Sequence, residues 1–124
     1  MSTDFEQDTA AEPLGEGRYA ISLSDRWWVG RGPNGGYVAA LVLRAMTAEA
    51  ATLDTPEPLP ARSLTVHFLR PPVAGPAEVE VTLEHAGRLT AFLSARLIQD
   101  GELKAKAMSV FSGEREGPSF DRSV

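Results

Sequence analysis

The stretch Gly30-Arg31-Gly32-Pro33-Asn34-Gly35-Gly36-Tyr37, followed by Val38-Ala39-Ala40-Leu41-Val42-Leu43, decides how the chain folds. It reads as a glycine-rich turn opening a helix too apolar for a surface. From Tyr37 to Ala51 only Arg44, Thr47 and Glu49 are clearly polar, so the pattern predicts a helix that a sheet covers on most sides. Pro33 fixes its own φ and Asn34 is a good N-cap. Gly35-Gly36 lets another group approach the first helical N–H groups, which have no partner inside the helix. Such an end attracts partial negative charge and suits a phosphate, a carboxylate or a polarised carbonyl oxygen. The competing reading is that the glycines only let helix and strand pack tightly. No Walker lysine follows and the spacing misses G-x-G-x-x-G, which argues against a nucleotide loop.

The segments on either side alternate as strands do. Tyr19, Ile21 and Leu23 share a face between Arg18 and the Ser24-Asp25 stop, and Trp27-Trp28-Val29 leads into the glycine turn. Either one of the two adjacent tryptophans lines a groove, or both are ordinary lids on the core. Beyond the helix, Pro56, Pro58 and Pro60 enforce a loop. Leu64, Val66 and Phe68 then share a face opposite Ser63, Thr65 and His67, until Arg70-Pro71-Pro72 stops the ladder. Val79, Val81 and Leu83 alternate with Glu78, Glu80, Thr82 and Glu84, so that strand turns one face to water. Gly87-Arg88 turns into a strand from Thr90 to Gln99, whose Ala91 and Ala95 let the helix lie close. Asp100-Gly101 marks a two-residue hairpin into a last strand from Glu102 to Phe111. One strand, one long helix and four strands make an α+β class with an antiparallel sheet wrapped around the helix.

Length and charge narrow the functions. With 124 residues the chain is one domain, read as a flexible N-terminal arm over 1–16, a folded domain over 17–113 and a C-terminal tail or linker over 114–124. There is no cysteine, which removes disulfides, zinc–thiolate sites and thiol nucleophiles. A net charge of −5 with scattered basic residues argues against nucleic acid. No apolar run approaches the span of a bilayer, and no signal-peptide core is present; a cytoplasmic protein is expected. The carboxylates of Glu78, Glu80 and Glu84 form a ladder that does not converge on a metal, and neither metal nor cofactor is expected.

Pro33-Asn34-Gly35-Gly36-Tyr37 at the helix start and Leu64-Thr65-Val66-His67-Phe68-Leu69-Arg70-Pro71 on the next strand resemble the hot dog fold of acyl-CoA thioesterase II type. Ala86-Gly87-Arg88 and Gln99-Asp100-Gly101 fall at matching turns. The resemblance covers about Tyr19 to Gly113 and is to the N-terminal repeat of double hot dog enzymes, which hydrolyse acyl-CoA to free acid and CoA. It implies an acyl-CoA substrate or ligand, and either a homodimer or half of a two-repeat chain. It places the chemistry at Asn34, Gly35, Gly36 and Tyr37, with the N–H groups of Gly36 and Tyr37 as oxyanion donors. Trp28, His67, Phe68, Arg70 and Arg88 are the substrate-binding candidates, the two arginines for CoA phosphates. The acid, hydroxyl and amide that hold the attacking water in such enzymes resemble features of the second repeat; the matching places here lie near Asn34, Ala61 and Phe111, and none is an acid. Asn34 orients by hydrogen bonding but takes no proton. A non-catalytic acyl-CoA or acyl-chain binding module is therefore the alternative reading.

Overall fold

The computed structural model describes residues 3–29 and 32–113. Helix α1 (Asp4–Asp8) and strands β1 (Glu12–Gly15) and β2 (Arg18–Leu23) come first, then the short strands β3 (Trp28–Val29) and β4 (Gly32–Pro33). The long helix α2 (Gly35–Ala50) follows, and β5 (Ala61–Phe68), β6 (Gly75–Ala86), β7 (Thr90–Gln99) and β8 (Glu102–Ser112) complete the chain. Six strands form one antiparallel sheet in the order β1-β2-β6-β7-β8-β5. The sheet curves around α2, the expected α+β architecture.

Period-two alternation sets the register. In β7, Ala91, Leu93, Ala95 and Leu97 are buried while Phe92 and Arg96 are exposed. The helix lies chiefly against this strand, and the methyl side chains of Ala91 and Ala95 permit the close approach. Val38, Leu41, Val42, Ala45 and Met46 complete the core from the helix side, with Tyr19, Ile21, Val79 and Phe111 from the sheet. Asp100 (φ 53°) and Gly101 (φ 75°) both lie in the left-handed region, as the β7–β8 hairpin requires. Gly17 (φ 78°) brings the chain so close to β6 that a Cβ there would run into the Val81 carbonyl oxygen.

Two expectations change. Residues 1–16 were read as an arm, yet within them Thr3 and Glu6 form a reciprocal capping box on α1. The Phe5 ring meets Trp27 edge-on at 5.2 Å, and β1 pairs with β2. Apolar contact and hydrogen bonding thus fix a segment whose composition is acidic. The helix, expected to be covered on most sides, leaves Ala39, Ala40 and Leu43 only half-buried, because the sheet wraps one flank. Gly30, Arg31 and the expected tail 114–124 lie outside the described residues.

Candidate functional site

The start of α2 is organised by Asn34. Its backbone is extended (φ −60°, ψ 128°), and its side-chain Oδ1 accepts from Gly36 N–H at 2.7 Å and Tyr37 N–H at 3.4 Å. The two candidate oxyanion donors therefore serve the cap. Because N–H groups require an acceptor, they fix which amide atom is oxygen and leave Asn34 Nδ2 as the outward donor at an exposed position. Asn34 N–H donates to Trp27 C=O at 2.8 Å, so the residue is held from both sides.

A cleft of about 330 Å³ opens beside this helix start, lined by Gly35, Val38, Phe68, Leu69, Arg70, Pro71 and Pro72. Gly35 faces the Phe68 ring across it: a Cβ there would stand 3.7 Å from the ring, in ordinary contact. Phe68 ends β5 on the helix-facing side, and Leu69 and Arg70 then both donate their N–H to the Lys104 carbonyl at 2.9 and 3.1 Å. The wall beyond them is held from below by Gln99, which is buried at 2 % exposure. Its Oε1 accepts from Val73 N–H at 2.8 Å, and its Nε2 donates to the carbonyls of Val73 at 2.8 Å and Pro76 at 3.2 Å. One side-chain amide thus pairs with the Val73 backbone as a strand would, behind two prolines that donate nothing.

Charge at the rim is largely balanced. Glu102 accepts from Lys104 Nζ at 2.9 Å and lies 3.7 Å from Arg70 Nη1. The Lys104 hydrogen bond and charge, with Arg70 further out, hold the Glu102 carboxyl below its usual range. Among the described residues none of those lining the cleft is an acid, a histidine or a hydroxyl, so none of them is a general base. The surface suits an apolar chain, with a carbonyl oxygen near the positive end of the helix.

Gly35, Phe68 and Arg70, read from separate motifs, meet in this cleft, with Asn34 and Gly36 at its helix end. Tyr37 is instead a buried structural hub: its hydroxyl accepts from Ser24 N–H at 2.9 Å and donates to the Asp8 carbonyl at 2.8 Å, and its ring stacks on Trp27 at 5.9 Å. Burial raises its phenol. Trp28 packs half-buried against the core and does not line the cleft. His67 points to the opposite face of the sheet, and Arg88 sits in the β6–β7 turn beside Leu89, whose carbonyl holds Gly113 at the far end of the fold. Sequence reasoning missed Gln99, Glu102 and Lys104. The only signal for Gln99 was its place before the Asp100-Gly101 turn.

Comparison with known proteins follows the same outline. Residues 23–112 match the family model of the acyl-CoA thioesterase N-terminal domain. Over 122 residues the chain is 31% identical to the thioesterase-like protein TwmA of Talaromyces wortmannii, covering 97% of this chain and 30% of that protein. The crystal structure of a proposed thioesterase II from Thermobifida fusca superposes with a TM-score of 0.81 at 28% identity, over 99% of this chain and 44% of that one. A hot dog protein of unknown function from Alicyclobacillus acidocaldarius gives 0.82 at 27% identity, over 100% and 45% respectively. The chain thus spans less than a third of the curated relative and less than half of either structure.

Proposed function

The chain belongs to the acyl-CoA thioesterase N-terminal domain family, thioesterase-like proteins of the hot dog fold, and from that membership we propose that it binds acyl-CoA thioesters in the cleft at the start of α2 and takes part in their hydrolysis. The observation that carries the reading is the apolar cleft between Gly35 and Phe68–Pro72, open at a helix N-terminus. In this reading the acyl chain lies along Val38, Phe68 and Leu69. The thioester carbonyl oxygen faces Asn34 Nδ2 and the first turn of α2, where partial positive charge stabilises the developing oxyanion.

The base that activates water comes from a second hot dog unit, either a copy of this chain or a following repeat. Two features support pairing. Strand β5 ends the sheet with its outer edge unpaired among the described residues, and the half-buried Ala39, Ala40 and Leu43 leave a flank of α2 for a neighbour. The missing base equally favours the second reading, a module that holds acyl-CoA without cleaving it.

Thiol release from butyryl-, octanoyl- and palmitoyl-CoA, with the solution mass measured on the same preparation, separates the two. Turnover by a dimer that Gly35→Leu abolishes supports a working self-paired site, since the added side chain fills the cleft beside Phe68. Binding of all three without release leaves the module. Neither binding nor release overturns the proposal.

A further inference from the structure

His67 does not face the cleft, and its actual neighbours form a pattern of their own. The register sets His67 of β5 opposite Lys106 of β8, and Lys106 opposite Arg96 of β7. Three basic side chains therefore stand side by side on the helix-distal face, across two strand spacings or about 10 Å. The like charges of Lys106 and Arg96, directly opposite one another, are destabilising. Among the described residues no ion pair or hydrogen bond compensates these three side chains. Of the acids on β6, Glu80 stands directly across from Arg96 at the end of the row, and Glu84 lines the same groove. Glu80, the register partner of Arg96 on β6, forms no ion pair with it; Glu78 pairs with Arg18 at 3.4 Å, and Glu84 accepts from the Ser94 hydroxyl at 2.5 Å.

The row lies in a broad groove of about 1020 Å³ whose walls include Ser63, Thr65, Ser94 and Met108. Leu69 lines both this groove and the cleft at the start of α2, so the two depressions share a wall where β5 ends. A ligand with its apolar end against Phe68 reaches the other face by passing over Leu69. The arginines first expected to meet phosphates are poorly placed: Arg70 shares Glu102 with Lys104, and Arg88 stands at the opposite end of the fold.

We propose that His67, Lys106 and Arg96 form a seat for the phosphate groups of the CoA carrier, distinct from the acyl cleft and joined to it at Leu69. The inference rests on the acyl-CoA reading of the cleft. A bound polyanion turns the mutual repulsion of Lys106 and Arg96 into attraction, and the Thr65 hydroxyl offers a hydrogen bond beside it.

The test compares octanoyl-CoA with the octanoyl thioester of N-acetylcysteamine, which has the same reacting bond and no phosphate, on the wild type and the Arg96→Glu/Lys106→Glu double variant. The expected result is a KM for octanoyl-CoA raised about tenfold or more, the gap narrowing at high salt, with the phosphate-free substrate unchanged. An unchanged KM for octanoyl-CoA, or equal losses on both substrates, overturns the seat and leaves the thioesterase reading standing. If the wild type hydrolyses neither substrate, the catalytic reading fails while calorimetry with CoA alone still decides the seat. Affinity weakened about tenfold in the double variant supports it; equal affinity, or no binding of CoA to the wild type, overturns it. Arg96→Gln/Lys106→Gln removes the repulsion without reversing charge and serves if the first variant does not fold. A change in solution mass without a change in CoA affinity assigns the row to a second copy and also overturns the proposal.

Discussion

Replacing Asn34 separates its two duties, capping α2 and presenting a donor at the cleft. In Asn34→Ala the backbone bonds to Trp27 and Val38 survive, so the loss is the Oδ1 cap on Gly36 and Tyr37. The position is exposed and no cavity forms. Loss of an asparagine cap costs about 1 kcal/mol, within about 0.5–2 kcal/mol. With a urea m-value of about 1–1.5 kcal/mol/M for a domain of this size, the midpoint falls by about 0.7–1 M and the slope is unchanged. Asn34→Asp keeps the acceptor and puts a negative charge at the positive end of the helix, worth about 0.3–1 kcal/mol at neutral pH. Its stability should equal or exceed that of the wild type. Both variants lose the Nδ2 donor, so both should lower kcat for octanoyl-CoA by about 100- to 1000-fold. Urea unfolding and thiol release on the same three proteins make the comparison. Wild-type turnover in Asn34→Asp would refute the donor role and point to an acceptor at this position; unchanged stability in Asn34→Ala would refute the cap.

Three further outcomes follow from the fold. Tyr37→Phe strands Ser24 N–H and the Asp8 carbonyl, and should cost about 1–3 kcal/mol in chemical unfolding with a change in Trp27 fluorescence as α1 loosens. Gly17→Ala combines a left-handed φ with a collision against Val81 and should cost about 1–3 kcal/mol, more than Gly15→Ala, whose φ is also positive but whose surroundings are open. Burial and the neighbouring Glu49, which accepts from its hydroxyl at 2.7 Å, raise the Tyr19 phenol above its ordinary 10.0. A raised folded-state value contributes stability that is intact below the unfolded value and declines as pH rises beyond it. Unfolding free energy should therefore fall above about pH 10 in the wild type, and less steeply in Tyr19→Phe; equal slopes would remove Tyr19 from the account.

The strands were legible because one buried face imposes a period of two. The expected β2 and β7 ranges, Arg18–Leu23 and Thr90–Gln99, are the observed ones, and Asp100-Gly101 announced its turn through the φ it needs. α1 was not read, although Thr3-x-x-Glu6 is a capping-box pattern, because five residues gain stability from partners far along the chain, Trp27 and Tyr37 against Phe5 and Arg26 against Asp4 and Asp8. Of the site, Gly35, Phe68 and Arg70 were found through their motifs. Alternation also told correctly that His67 faces away from the helix. Arg88 could not be placed, since strand pattern does not say at which end of the helix a turn will lie. Gln99 was hidden for a related reason: its partners Val73 and Pro76 are joined to it only by tertiary folding.

The margin of β5, unpaired among the described residues, has a consequence in mass action. Two separate copies meet at the concentration of the protein, often micromolar, whereas two units on one short tether meet at an effective concentration in the millimolar range. That difference of about a thousandfold is equivalent to about 4 kcal/mol of association free energy. On the pairing proposed above, the same strand edge would close readily when a second unit is covalently attached. A short chain must find those few kilocalories in the fit of its own side chains along Ala61–Phe68, and substitutions there should be felt far more sharply in it than in a tethered pair.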